Sequence, residues 1–323
     1  MVAANPAHGS SASKICHFFE YATENQSCHA QIWMPAETHI PHHSPWFPLL
    51  QAGRIKKQPI FQPNLILLSD AADWHAASRI YGSKNLIPKL HLIGGNNLRY
   101  LGHQALNNPA IRVAMGNGIA NLFEKLDIFK EPLHILPIGL DQEDLPTANQ
   151  KTHNFEILIL SDSNPSLGLA IQQNLERFGL SSACELSTWP TMKRQEAIAM
   201  AAVVVILAPA PGQASLGLRR LTAMGYQTPI VCEEMHPDDK ICKDGFNCLI
   251  TSSNPASLAA AAASLVDPTN IQLQRKLIDG GLATLVRHRR TRERLEFNQL
   301  LYSYKRHWQT ACACNSEQAT KQL

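Results

Sequence analysis

The sequence predicts an α/β protein of two Rossmann-like domains. From residue 64 onward, short apolar runs alternate with helical segments, the order that builds parallel, doubly wound sheets. The alternation comes in two series, split by a polar, proline-containing stretch at 141–154, and 323 residues suffice for two domains of ordinary size. The clearest unit spans 203–232. A β-branched run at 203–206 reads as a buried strand; then come a loop holding Pro209, Pro211 and Gly212, a short helix at 215–224, and a second buried strand at 229–232. The helix N-terminus then lies at the carboxyl end of a parallel sheet. Orphan N–H groups and the helix dipole suit a phosphate there, and open α/β sheets bind ligands at that edge.

Taken in order, residues 1–13 read as a flexible polar tail and 15–21 as a first strand. Residues 22–62 read as proline-rich loops around a short helix at 46–51. They hold His39, His42 and His43, but no fourth ligand spacing supports a metal there, and loop histidines are the default. Strands follow at 64–69, 89–93, 110–115 and 133–136. Asp70 is placed to cap a helix ending at Tyr81, Gly94-Gly95 precedes a helix to Leu106, and Gly116-Asn117-Gly118 opens a helix to Leu126. The first domain covers 14–140 and the linker 141–154.

The second domain, 155–286, starts with a strand at 155–160. The turn Ser161-Asp162-Ser163-Asn164-Pro165 leads into a helix ending near Gly179. A strand at 184–188, a helix at 191–200 and the 203–232 unit come next, with helices at 255–265 and 271–286 after them. A last helix spans 287–309 and a polar tail 310–323.

Apolar content of 45% and charged content of 17% describe a soluble globular chain with extensive buried sheet, and a net charge of +3 is too small to imply nucleic acid. Eight cysteines without a C-x-x-C pair fit buried free thiols in a reducing cytoplasm. No apolar run reaches membrane-span length, no basic-then-apolar leader opens the chain, and no G-x-G-x-x-G follows a predicted strand. Export as a solute-binding protein and a Rossmann dehydrogenase are therefore disfavoured, and the expected location is cytoplasmic.

Residues 214–250 resemble the nucleotide-sugar-binding core of the retaining GT-B glycosyltransferases of the GT4-type family, whose pattern runs E-G-F-G-L-x-x-L-E-A-M-A-x-G-x-P-V-V and then D-G-x-N-G-L-L. The matching residues are Ala214, Ser215, Leu216, Gly217, Leu218, Leu221, Thr222, Ala223, Met224, Pro229, Ile230 and Val231, then Asp244, Gly245, Asn247, Leu249 and Ile250. Residues 135–141 (ILPIGLD) resemble the family's v-I-P-N-G-v-D element, and 111–120 its i-x-v-S-x-x-x-A junction. Departures stand beside these matches: Ala214 and Thr222 replace the family's glutamates, 161–166 replaces the G-R-x-x-x-x-K-G after the first strand of domain two, Ile138 replaces Asn and Gly116 replaces Ser.

The resemblance implies two domains facing across a cleft, a terminal helix crossing back to the first, and transfer of a sugar from a UDP- or GDP-linked donor to a glycan or lipid-linked acceptor. It implies retention and no metal or cofactor beyond the donor. The family's glutamates contact the sugar and the ribose; Thr222 keeps one hydroxyl for that purpose and Ala214 nothing polar.

Candidate donor-binding residues are Ser161, Asn164, Ser215, Leu216, Gly217, Leu218, Arg219, Arg220 and Thr222. Gly217 permits close backbone approach, or marks an ordinary strand-to-helix turn. Arg219 and Arg220 supply forks that match phosphate, or face solvent; Lys193 and Arg194 are similarly placed. Acceptor-side candidates are Gly94, Gly95, Asn96, Gly116 and Asn117, and the histidines weighed for catalysis are His75 and His91, each equally readable as a core or surface residue. The basic run holding Arg287, Arg289, Arg290 and Arg294 reads as a solvated helix face or as a peripheral contact with the inner face of a membrane. With both glutamates replaced, the alternative is a non-catalytic GT-B protein that binds a glycan or partners an active glycosyltransferase.

Overall fold

The computed structural model describes residues 10–25, 28–34, 40, 42, 44, 46–57, 62–69, 71–82, 86–93, 108–127, 129, 131–145, 156–161, 164–184, 191–208, 217–234 and 241–321. The chain divides into two compact units, 1–137 with 291–323, and 138–290.

In the first unit the chain runs through α1 (Ser10–Glu24), β1 (Ile32–Trp33), α2 (Phe47–Gln51), β2 (Ile55–Lys56), β3 (Ile66–Leu68), α3 (Ala71–Tyr81), β4 (Lys89–Ile93), β5 (Ile111–Met115), α4 (Asn117–Lys125) and β6 (Leu133–Leu136). The strands β3-β4-β5-β6 form one parallel sheet in that order, with Leu67 opposite Leu90 and Val113 opposite His134. β3, β4 and β5 are buried throughout, as strands covered on both faces must be; β3 is wholly apolar, while β4 carries Lys89 and His91 and β5 carries Arg112 among their apolar residues. Ile66 and Leu68 pack with Trp74, Ala76 and Ala77 of α3. Buried Asp73 accepts from the Ser69 N–H and hydroxyl, both at 2.7 Å, and so ties the start of α3 to the end of β3.

The expected strand at 15–21 is instead the middle of α1. Ile15, Phe18, Phe19 and Tyr21 are buried on one side, Phe18 stacks on Phe297 at 4.7 Å, and the Lys14 ammonium meets Glu293 at 2.9 Å with both side chains fully buried. Tertiary packing overrides the aromatic, β-prone composition here.

The second unit carries β7 (Ile157–Leu160), α5 (Pro165–Arg177), β8 (Ser182–Cys184), α6 (Thr191–Met200), β9 (Val203–Ile206), α7 (Leu218–Gly225), β10 (Ile230–Glu233), β11 (Leu249–Thr251), α8 (Pro255–Val266) and α9 (Ile271–Arg287). Its five-stranded parallel sheet has the order β11-β10-β9-β7-β8. Ile157, Ile159, Val203, Val205 and Val231 pack against Ile171 and Leu175 of α5 and Leu258, Ala262 and Leu265 of α8.

A final helix, α10 (Arg290–Lys321), belongs to the first unit from Thr291 onward. The boundary expected between the helices 271–286 and 287–309 falls slightly later, at 288–289: α9 runs to Arg287 with His288 at its C-cap, and the Asp141 carboxylate accepts the Arg290 N–H at 3.0 Å where α10 starts. The expected tail at 310–323 is helical to Lys321, with Ala311 buried; its polar composition hides residues that favour helix. The stretch expected as a linker opens with packed residues: Leu145 is buried, and the Gln142 amide donates to the Gly225 carbonyl at 3.2 Å. Of the strand expected at 184–188, Cys184 lies in β8 (Ser182–Cys184), and 185–188 lie outside the described residues. The cap expected from Asp70 lies outside the described residues, as do His39 and His43.

Candidate functional site

In the second unit the chain goes from β7 outward to β8, then returns to the other side of β7 as β9. That reversal is a topological switch point, and ligands of open α/β sheets bind where the carboxyl ends diverge around it. Ser161 follows β7, Ala208 lies two residues past β9, and Glu233 ends β10. All five strands are parallel, so these ends share one edge.

The polar groups at this edge are partly committed to structure. Ser161 is buried, its carbonyl accepts the Asn164 N–H at 2.9 Å, and a Cβ on Gly168 of α5 would fall 2.4 Å from its own. Asn164 caps α5, its side-chain oxygen accepting from the Leu167 N–H at 3.2 Å and the Ser166 hydroxyl at 2.9 Å. Glu233 is a carboxylate the sequence reading passed over. It is buried and accepts the Ala208 N–H at 2.7 Å, joining the ends of β9 and β10. An acidic residue directly behind an apolar strand was the available sign.

At α7, Gly217 takes a left-handed conformation (φ 74°), and a Cβ there would lie 2.1 Å from Ile241 Cδ1. Its carbonyl accepts the first helical N–H groups, from Arg220 and Leu221. Arg219 is half-buried and Leu218 likewise, whereas Arg220 and Thr222 are buried within the unit. The solvent-facing alternative therefore fails for Arg220. Its guanidinium lies near Cys232, where hydrogen bonding with Cys242 and Cys248, then burial, outweigh its charge and keep that thiol well above its ordinary range. Ser215 and Leu216 lie outside the described residues, and so does the side chain of Lys193. In the D-G-x-N segment, Asn247 accepts the Lys243 N–H and donates to the Ile241 carbonyl, both at 2.7 Å, and to the Thr284 hydroxyl at 2.8 Å. The Asp244 carboxylate accepts the Ile250 N–H at 2.8 Å.

In the first unit, His91 sits in the middle of β4 and is buried. Its Nδ1 lies 2.8 Å from Arg112 Nη1; a guanidinium only donates, so Nδ1 accepts and the proton rests on Nε2. Burial first, and the Arg112 charge second, hold this imidazole well below its ordinary range, so it is neutral at physiological pH. Arg112 is ion-paired with Glu131 at 3.3 Å and lies over the rings of Trp74 and Phe129; burial brings it down to about 10, still protonated at neutral pH. His91 is thus one member of a sealed polar cluster. His75 is exposed on α3, and Asn117 is exposed at the start of α4, behind Gly116 (φ 97°). Gly94, Gly95 and Asn96 lie outside the described residues. A cavity of about 360 Å³ lined by Phe18, Trp33, Tyr81, Phe297 and Tyr304 opens beside β3, toward its amino end rather than the ligand-binding edge.

Within the basic run, Arg287 and Arg289 are exposed, Arg290 is half-buried, and Arg294 pairs with Glu24 at 3.0 Å. Among the described residues no helix is long and apolar enough to cross a membrane.

No protein-family profile matches the chain, and no curated protein matches it significantly. Solved structures do. The Anabaena protein HepE in complex with UDP-glucose matches with a TM-score of 0.63 at 14% identity, over 94% of this chain and 98% of that one. Sucrose-phosphate synthase from Thermosynechococcus elongatus matches with a TM-score of 0.62 at 14% identity, over 93% and 96%. A glycosyltransferase from Rickettsia africae matches with a TM-score of 0.57 at 10% identity, over 95% and 97%. The fold is GT-B. At these identities the likeness is one of fold, and two Rossmann-like units, expected from the strand–helix alternation, are what the chain contains. In this GT-B chain the second unit has the switch point, the left-handed Gly217 and the half-buried Arg219 on one sheet edge or the helix behind it.

Proposed function

We propose that the chain is a glycosyltransferase that takes a sugar from a UDP- or GDP-linked donor and delivers it, with retention, to a glycan or lipid-linked acceptor. The observation that carries this reading is the end-to-end likeness to a chain in complex with UDP-glucose, 94% of one against 98% of the other. The donor belongs at the carboxyl edge of the second unit. There the α7 terminus, opened by Gly217, offers N–H groups to a diphosphate, and Arg219 offers a fork-shaped cation. Both interactions strengthen as the leaving diphosphate gains charge, which is how this arrangement would lower the barrier without a metal or other cofactor. A lipid-linked acceptor would bring exposed Arg287 and Arg289 to an anionic surface.

Thr222 favours the second reading, a non-catalytic GT-B protein that binds a glycan or partners an active glycosyltransferase. It stands where the family has a ribose-binding glutamate, and it is buried.

Release of nucleoside diphosphate from a panel of UDP- and GDP-sugars, with and without an acceptor mixture of glycans and polyprenyl-linked sugars, separates the two. Acceptor-dependent release that Arg219→Ala lowers at least tenfold supports the transferase; donor binding without any turnover supports the second reading. Co-sedimentation with phosphatidylglycerol vesicles, lost on Arg287→Ala/Arg289→Ala, tests the membrane contact.

A further inference from the structure

The sulfur atoms of Cys232, Cys242 and Cys248 lie within 4.8 Å of one another, with Cys232 and Cys242 at 3.4 Å. The three come from different places: Cys232 from β10, Cys242 from the segment after it, Cys248 from the residue before β11. Cys232 and Cys248 are fully buried, and Cys242 is half-buried.

The turn that presents Cys242 and Cys248 is built independently of the sulfurs. Asn247 fixes it by bonds to the backbone on either side of Cys242 and to Thr284 on α9. The Gly245 N–H closes onto the Cys248 carbonyl at 2.9 Å. Such a framework holds the three ligands in place before an ion arrives.

From this convergence we propose that Cys232, Cys242 and Cys248 form a three-thiolate site for a single thiophilic cation of the zinc or copper(I) type. Zinc–sulfur bonds of about 2.3 Å put sulfur atoms about 3.8 Å apart, so the observed triangle needs adjustments of roughly 1 Å or less. Binding one divalent ion expels three thiol protons and leaves a net charge of −1, which the neighbouring Arg220 guanidinium balances. The site lies directly behind Ile241, which packs against Gly217 at the head of α7, so the ion would brace the loop that frames the ligand-binding edge. The chemistry owes nothing to sugar transfer, and the site stands or falls independently of it.

Cadmium is the probe. The full-length protein, reduced and stripped of metal, is titrated with Cd²⁺ while the thiolate-to-cadmium absorption is followed. The expected result is a band saturating at one equivalent, undiminished in Cys312→Ser/Cys314→Ser and weakened at least tenfold in affinity in Cys242→Ala. Variants at the two buried cysteines can fail to fold, so cadmium NMR of the native protein supplies the second readout, with a shift characteristic of three sulfur ligands. No saturable band, a band that survives Cys242→Ala unchanged, loss of the band with Cys312 and Cys314, or a Cys232–Cys242 disulfide that forms in air and resists mild reduction would overturn the assignment.

Discussion

The carboxylate of Asp141 accepts the backbone N–H of Arg290 at 3.0 Å, and this bond joins the two places where the chain passes between its units. Beside it, the Leu140 N–H donates to the His288 carbonyl at 2.8 Å, and His288 Nδ1 lies 3.1 Å from the Ile138 carbonyl. A Cβ on Gly139 would sit 2.7 Å from the Arg290 Cα. The Pro-x-Gly-x-Asp pattern at 137–141 is thereby explained: the glycine admits the second segment, and the aspartate caps the helix that starts there. Asp141→Ala is expected to cost about 1 kcal/mol, and Gly139→Ala more than that because both clashing partners are backbone. Urea unfolding of both variants checks the order.

The buried ion pairs make a different prediction. Lys14 and Glu293 are sealed together, with the Tyr21 hydroxyl donating to the same carboxylate at 2.9 Å. Removing one charge strands the other, so Lys14→Met is expected to destabilise by about 3–5 kcal/mol, and Lys14→Met with Glu293→Gln to recover much of that loss. Glu131→Ala, which strands Arg112, is expected to fall in the same range. A double-mutant cycle at Lys14 and Glu293 measures the coupling.

Stability of the first unit is expected to drop with acid below about pH 6.5. Burial, and then Arg112, keeps His91 well below its ordinary value; burial, and then His307, edge-on at 4.2 Å between ring centroids, lowers His134 to about 4. An unfolded imidazole takes up a proton near 6.5 and the folded ones do not, so the unfolded state binds more protons and the contribution present above pH 6.5 is lost as pH falls. Thermal melts between pH 7.5 and 4.5 should show this slope, flattened in His134→Phe.

Gly280 of α9 tests the packing of the D-G-x-N segment. A Cβ there would lie 1.9 Å from the Phe246 carbonyl oxygen, so helix and turn meet at backbone distance. Gly280→Ala improves helix propensity by about 1 kcal/mol yet is expected to destabilise, because the clash outweighs that gain. Denaturant midpoints give the sign.

Much of this architecture is legible in the sequence because buried parallel strands announce themselves: 203–206 is an unbroken apolar run and forms a strand over those residues, and the mostly apolar 89–93 does the same despite Lys89 and His91. α1 was legible too, but by period rather than composition: Ile15, Phe18, Phe19 and Ala22 recur at helical spacing inside a segment whose aromatic residues suggest a strand. The boundary near His288 was placed to within two or three residues without a Gly or Pro to mark it, but its cap, the Asp141 carboxylate, comes from a distant part of the chain. In the candidate site, the residue types of the α7 region were readable, but burial was not. Arg220 looks like any helix arginine until its neighbours are known, and three cysteines spaced ten and six residues apart reveal nothing until β10 and β11 pair.

Nucleotide binding by the second unit is the central claim, and thermal stability against UDP, GDP and their sugar conjugates measures it most directly. A ligand at about a hundred times its dissociation constant should add roughly 2.7 kcal/mol to the folded state. The account predicts a rise in melting temperature with one nucleotide family, lost in Arg219→Ala. No shift with any nucleotide, in a protein that melts cooperatively, would contradict it.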